Sequence, residues 1–166
     1  MSNRFDNVEG ILAVDLHYGL AKDGMIPWKS KTDLKFFKDK TINNVVVMGL
    51  KTLLSLPKAE PLKNRINIVV TNNFNKYCKL YEKYDNIFFV NGDNITTTLE
   101  NLYKNKTIFI IGGNQIYNML LPYCSKIWLT KIKSNHDCDL LFKYDISTYT
   151  KELVYEDEEL EITRLY

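Results

Sequence analysis

Thr107-Ile108-Phe109-Ile110-Ile111-Gly112-Gly113-Asn114-Gln115-Ile116-Tyr117 is the stretch on which the fold turns. The run at 107–111 is β-branched and aromatic and does not alternate with polar residues. That pattern predicts a strand covered on both faces. Two glycines end it, and a helix follows over 115–121, with Pro122 as its stop. A strand that passes through glycine directly into a helix is half of a βαβ unit.

The same punctuation recurs on either side. Buried strands are predicted at 11–14, 45–48, 66–71 and 87–90, and strand again at 125–133. Helices are predicted at 32–40, where Leu34 and Phe37 share a face, and at 94–104, where Ile95, Leu99 and Leu102 recur at helical spacing. A short helix follows Met48-Gly49. Residues 154–166 read as a terminal hairpin, with Glu156-Asp157-Glu158-Glu159 near its turn. The order βαβα with a β-rich tail predicts an α/β sheet with an antiparallel end. Ligands of such sheets sit at the carboxyl ends of the strands. The loops after Val14, Met48, Thr71 and Ile111 are therefore where chemistry is expected.

The 166 residues suffice for one domain with a real core, taken here as 1–166. A hydrophobic share of 45% and a charged share of 25% are those of a globular chain. The net charge of +2 gives no reason to expect nucleic acid or a membrane surface as partner. No apolar run is long enough to span a bilayer, and the polar start lacks the core of a signal peptide. Cys78, Cys124 and Cys138 form no C-x-x-C pair, so reduced thiols at packing positions, a reducing cytoplasmic setting and no metal centre are expected. His17 and His136 lack metal-ligand spacing and read as loop residues. No G-x-S-x-G supplies a hydrolase nucleophile.

Three segments carry candidate chemistry. The first, Gly19-Leu20-Ala21-Lys22-Asp23-Gly24-Met25-Ile26-Pro27-Trp28, is a Gly-punctuated loop closed by a rigid Pro-Trp. Behind it Ser30-Lys-Thr-Asp33 resembles a capping box, which would make Asp33 a helix-start carboxylate. Its neighbours Trp28, Leu34, Phe36 and Phe37 point instead to a desolvated acid that could grip a cationic or amidine-like group or handle a proton. The second, Met48-Gly49-Leu50-Lys51-Thr52, joins strand to helix. Free N–H groups at the helix start, with the Lys51 charge and the Thr52 hydroxyl, suit a phosphate. The third is Gly112-Gly113, where bare backbone can approach a pyrophosphate, although a Gly-Gly turn is also an ordinary connection. Neither glycine segment is a G-x-G-x-x-G or Walker motif.

In their order and spacing these segments resemble dihydrofolate reductase. The resemblance runs from about Ile11 to Phe142. It is carried by Ala13-Val-Asp15, Gly24-Met-Ile-Pro27-Trp28, Thr32-Asp33-Leu34, Phe37 and Thr41. It continues through Val47-Met48-Gly49 with Thr52 and Ser55, Pro61-Leu62, Arg65-Ile-Asn67, Ile110-Ile111-Gly112-Gly113, Ile116-Tyr117 and Leu129-Thr130. It implies a twisted, eight-stranded, mostly parallel sheet with flanking helices and an antiparallel C-terminal hairpin. It implies transfer of hydride from NADPH to C6 of dihydrofolate, with a proton to N5, as part of one-carbon metabolism.

By the same resemblance Asp33, supported by Thr130, takes the pterin edge. Trp28 and Ile26 complete the catalytic loop. Ile11, Ala13, Leu34, Phe37, Leu56, Leu62, Ile111 and Tyr117 line the substrate slot, and Arg65, with Lys38 beside it, holds the carboxylate of the glutamate tail. Ala13, Leu20 and Ala21 border the nicotinamide. Gly49, Leu50, Lys51, Thr52, Thr71 and Asn72 take the adenosine end. Ile111, Gly112, Gly113, Asn114, Gln115, Ile116 and Tyr117 serve the pyrophosphate side, with the Gly112–Gly113 peptide cis.

Three residues depart from the family pattern. Leu50 stands where a basic residue is frequent near the cofactor 2′-phosphate, Leu53 replaces a common aromatic, and Asn114 a frequent glycine. The stretch 56–60 is irregular. The riboflavin-pathway reductase of the same fold is the nearest rival reading, and a non-catalytic relative the next. The Pro27-Trp28 to Asp33 segment and Arg65 argue against the first, and Asp33, Arg65 and Gly112-Gly113 against the second. A single-function monomer is expected.

Overall fold

The continuous apolar runs become central strands because each feeds two cores at once. In β3 (Val45–Gly49), Val45 and Val47 join one buried cluster while Val46 and Met48 join another. β4 (Ile66–Val70) and β6 (Ile108–Gly112) divide the same way, with Ile68 and Val70 against Val69, and Ile108 and Ile110 against Phe109. Each such side chain gains about 1.5–3 kcal/mol from burial, so a polar residue on either face must find hydrogen-bond partners to be tolerated. The computed structural model describes residues 4–101 and 105–166.

The remaining strands of the main sheet are β1 (Phe5–Val14), β5 (Ile87–Val90), β7 (Cys124–Ile132), β9 (Lys151–Glu156) and β10 (Leu160–Leu165). Their spatial order is β5-β4-β3-β6-β1-β7-β10-β9. All pairings from β5 through β7 are parallel. β10 is antiparallel to both β7 and β9. A two-stranded sheet joins β2 (Gly19–Ala21) to β8 (Leu140–Leu141). The helices are α1 (Lys31–Thr41), α2 (Leu50–Ser55), α3 (Phe74–Leu80), α4 (Ile95–Asn101) and α5 (Asn114–Leu120). None is long and apolar enough to cross a membrane.

Several boundaries differ from the sequence reading. β1 starts at Phe5 rather than at 11, because its first half mixes polar and apolar residues and its register with β7 slips between Phe5 and Glu9. The last hairpin starts at Lys151, and all six residues of β9 are exposed, so no buried run marks its start. Helix α3 was not expected. It buries no residue and therefore shows no apolar stripe. In the helix expected at 94–104, Ile95 and Leu99 are buried as the spacing requires, while Leu102 and Lys104 lie outside the described residues. The irregular stretch at 56–60 holds a 3-10 turn in which Lys58 and Ala59 take positive φ, 57° and 52°. The three cysteines are free, but only Cys124 is fully buried. Cys78 is exposed, so it is not the packing residue expected.

Candidate active site

β3 and β6 are neighbours in the sheet, so the loops that leave their carboxyl ends lie side by side. A Cβ on Gly49 would sit 3.1 Å from Ile116 Cγ1, and one on Gly113 would sit 3.6 Å from Thr52 Oγ1. The two glycine segments therefore form one cradle, with backbone facing where side chains would intrude. The Gly112–Gly113 peptide is cis. Gly112 has φ +115°, a conformation suited to glycine, and an added Cβ would lie 3.1 Å from three atoms of the Tyr117 phenol. The first bond of α5 runs from Tyr117 N–H to the Gly113 carbonyl at 2.8 Å. Helix geometry thus leaves the N–H groups of Asn114, Gln115 and Ile116 outside the ladder, where they can meet an anion.

Across β6 lies the acid. The hydroxyl of Ser30, the N-cap of α1, accepts from Asp33 N–H at 3.1 Å. The capping reading is thus half right, because the Asp33 carboxyl turns toward the sheet and lies close enough to the Thr130 hydroxyl for that hydroxyl to favour its ionised form. Thr130 pairs with Ala13 across β7 and β1 and with Ile162 across β7 and β10, so the carboxylate stands over three adjacent strands. Burial holds Asp33 above the ordinary carboxylate range. The Thr130 hydroxyl opposes that rise, and the negative charge of Glu159 adds to it. Trp28 is buried against Ile132, Leu160 and Ile162, with Ala13 and Phe36 packed on the same cluster. Tyr117, also buried, donates to the Ile11 carbonyl at 2.9 Å and so ties the glycine cradle to β1.

The far end of α1 is fixed just as firmly. The last residue, Thr41, is fully buried and accepts from Arg65 Nη1 at 3.1 Å, while Arg65 Nε donates to the Lys63 carbonyl at 2.9 Å. Burial pulls the guanidinium below its ordinary pKa, and a guanidinium has enough margin to stay charged at neutral pH. Asp33 and Thr41 are eight residues apart on one helix, which at 1.5 Å per residue is about 12 Å. Ile11, Phe37, Leu56, Leu62 and Ile111 gather with Leu50 on the second core cluster and supply an apolar wall on this face of the sheet. An acid, an apolar trough and a cation about 12 Å further on suit a flat basic ring joined to a carboxylate tail.

Other expected residues spread around this frame. Leu20 is buried in the core of the opposite face, with Ala21 half-buried beside it on β2. Thr71 is buried, and its hydroxyl accepts from Asn73 N–H at 3.1 Å. Ile26 and Leu34 are 63% and 66% exposed. Lys38, Lys51, Asn72 and Gln115 are also on the surface. Leu50 is half-buried against the core, and Leu53 is fully buried in it, which accounts for apolar residues at both places.

Sequence reasoning gave no role to Asp15, which closes the first loop onto the segment after β7. Its Oδ1 accepts from His17 and Gly19 N–H at 2.9 and 2.8 Å, and its Oδ2 from His136 N–H at 3.0 Å. Burial pushes this carboxyl up, but the three backbone donors outweigh burial and hold it below the ordinary range. Gly19 is required there because a Cβ would collide with Cys138. Asp23 N–H also reaches Asp139 Oδ2 across the same gap, at 2.9 Å. Thr41 was likewise quoted without a role. Its only sequence signal is a small polar residue at the end of an amphipathic helix.

This geometry has known counterparts. The family model for dihydrofolate reductase matches residues 7–163. The chain is 34% identical over 148 residues to the dihydrofolate reductase of Buchnera aphidicola, covering 89% of this chain and 86% of that one. It is 33% identical over 144 residues to that of Ureaplasma parvum, covering 86% of each. A bifunctional dihydrofolate reductase-thymidylate synthase from Glycine max is 34% identical over 145 residues, and the match spans only 26% of that longer protein. Among solved structures, dihydrofolate reductase from Enterococcus faecalis in complex with NADP(H) and RAB-propyl superimposes with a TM-score of 0.77 at 25% identity, covering 100% of this chain and 97% of that one. With a matching model over nearly its whole length and relatives of comparable size above 30% identity, the chain belongs to the dihydrofolate reductase family.

Proposed function

We propose that this chain reduces 7,8-dihydrofolate to tetrahydrofolate with NADPH, as a single-domain monomer in the cytoplasm that acts on this small molecule and not on nucleic acid or membrane. The observation that carries the substrate reading is the two-ended slot, with Asp33 on Thr130 at one end of α1 and Arg65 on Thr41 at the other. The carboxylate of Asp33 accepts from the N3 and 2-amino edge of the pterin, a charge-assisted forked contact. Arg65 takes the carboxylate of the glutamate tail in the same way. The apolar wall on that face of the sheet excludes water and fixes the ring plane.

The cradle fits a dinucleotide. Gly49 and Gly113 leave the room a pyrophosphate needs, and the N–H groups that helix geometry leaves free at the start of α5 adjoin it. NADPH supplies the hydride when bound. The chain's own part is to align the ring carbon C6, keep bulk water out with the segment that ends in Trp28, and hold a proton near N5. Asp33 is the ionisable group beside the ring, and its raised pKa keeps a proton available nearer neutrality; from the N3 edge that proton reaches N5 only through the ring or through water. Activity of the loaded enzyme should therefore fall as pH rises through the pKa of Asp33 in the complex.

Following NADPH absorbance in the presence of dihydrofolate tests the reading. Oxidation that requires both reactants supports it. Purified, folded protein that binds NADPH but leaves dihydrofolate unreduced from about pH 5 to about pH 8 would sink it.

A further inference from the structure

Asn67, the second residue of β4, has 0% of its surface exposed. A carboxamide so placed must find partners for one acceptor and two donor hydrogens. Its Oδ1 accepts from Leu62 N–H at 2.9 Å. Its Nδ2 faces the carbonyls of Leu62, Arg65 and Asn86, at 3.0, 3.2 and 3.3 Å. The Leu62 N–H can only donate and the carbonyls can only accept, so the surroundings fix which way the amide points.

Asn86, just before β5, sends its own Nδ2 to the same carbonyls of Leu62 and Arg65, at 3.1 and 3.2 Å. Asn67 N–H returns to the Asn86 carbonyl at 2.8 Å. Two carboxamides from adjacent chain segments therefore grip both ends of the turn at 62–65, in which Asn64 takes φ +58°. The turn belongs to neither a helix nor a strand, so these bonds replace the ladder it lacks. Leu62 and Arg65 are the two residues of that turn that face the far end of the slot.

We infer that Asn67, seconded by Asn86, is a positioning residue for the tail of the substrate: it sets Leu62 and Arg65 without touching the ligand. The inference rests on the function proposed above. A guanidinium on a turn that wanders loses the registry its forked contact needs. The tail contact is remote from the reacting carbon, so the loss falls on KM and spares kcat.

The test uses Asn67→Ala and Asn86→Ala, alone and combined with Arg65→Leu, assayed with dihydrofolate and with a reducible pterin that lacks the glutamate tail. Asn86→Ala removes the amide that donates to the Leu62 and Arg65 carbonyls from a half-buried site, leaves both carbonyls their bonds from Asn67, and should fold normally. Its KM for dihydrofolate should rise about 2–10-fold, the size of one neutral hydrogen bond, with kcat within about twofold. Asn67→Ala should do more in the same direction. If it does not fold, Asn86→Ala carries the test alone. The tail-less pterin should show no change, and in the Arg65→Leu background neither variant should raise KM further. Equal effects on both substrates, or effects that add to Arg65→Leu, would overturn the inference and leave a merely structural role. An unmoved KM in Asn86→Ala would overturn it too, while wild type that reduces no dihydrofolate would remove the functional reading beneath it.

Discussion

Asp33→Asn separates what the acid does for the reaction from what it costs the fold. The amide keeps the shape of the carboxylate, and its Oδ1 can still face the Thr130 hydroxyl, so the first turn of α1 and its Ser30 cap remain. Only the charge is lost. At a helix start that charge is favoured by about 0.3–1 kcal/mol, and the Thr130 hydroxyl favours it further. Burial works against it, Glu159 adds repulsion, and together these win, since Asp33 is held above its ordinary range. In the free protein at neutral pH the charge is therefore a net cost. Removing it should stabilise the fold by about 0.5–2 kcal/mol, the usual yield of relieving a strained functional group. For a chain of this length that is about 1–8 °C in Tm. A carboxyl with a raised folded pKa keeps its proton to higher pH in the native state than in the unfolded chain. Its contribution to stability is complete below the ordinary carboxylate range and is lost as pH rises through the raised value. The Tm advantage of Asn over Asp should therefore grow from acid pH, then level off once Asp33 is ionised in both states. Activity should move oppositely, with kcat/KM down about 100- to 10,000-fold. Thermal melts across pH, paired with steady-state rates, read both effects. A variant that melts lower than wild type at neutral pH, or that keeps turnover within about tenfold, would refute this account of Asp33.

Arg65→Leu should raise the KM for dihydrofolate about 10–150-fold with little change in kcat, the worth of a charged hydrogen bond at about 1.5–3 kcal/mol; a matching loss with a tail-less pterin would place Arg65 in the fold instead. Gly49→Ala should push its new Cβ into Ile116, 3.1 Å away, costing about 1–3 kcal/mol and weakening NADPH binding. Adding Ile116→Ala should restore much of the affinity, as read by NADPH titration. Lys51→Ala should narrow the NADPH/NADH ratio of kcat/KM, more visibly at low salt because Lys51 is exposed. Leu50→Arg should widen that ratio while lowering Tm, since Leu50 packs against the second core cluster; an unchanged ratio in Lys51→Ala would move the 2′-phosphate elsewhere.

What the sequence made legible is what repeats locally. Val45-Val46-Val47-Met48 announces its strand because every residue in it is buried, and Gly112-Gly113 announces the turn because a side chain at Gly112 would strike Tyr117. Helix α3 and the exposed β9 escape notice for the opposite reason: with no residue buried, neither carries a period to read. The polar residues of the site are harder again. Asp15, Thr41 and Asn67 look like loop and cap residues, yet each is buried, and their partners lie across the chain. His136 is 121 residues from Asp15, Arg65 is 24 from Thr41, and the Asn86 carbonyl is 19 from Asn67. Composition prices such residues as surface, because an unpaired polar group is costly to bury. Once the partners are in place, the same groups become the most position-specific contacts in the molecule, since a hydrogen bond fixes distance and direction where an apolar contact fixes only proximity. Asp33 shows both sides of this. Its backbone N–H does what the local pattern predicts, bonding Ser30 three residues back. Its carboxylate does what only the tertiary fold permits, meeting Thr130 on a strand nearly a hundred residues later. Both the capping reading and the active-site reading of Asp33 therefore hold, one for its backbone and the other for its side chain, and the helix start that the cap secures is what aims the acid into the slot.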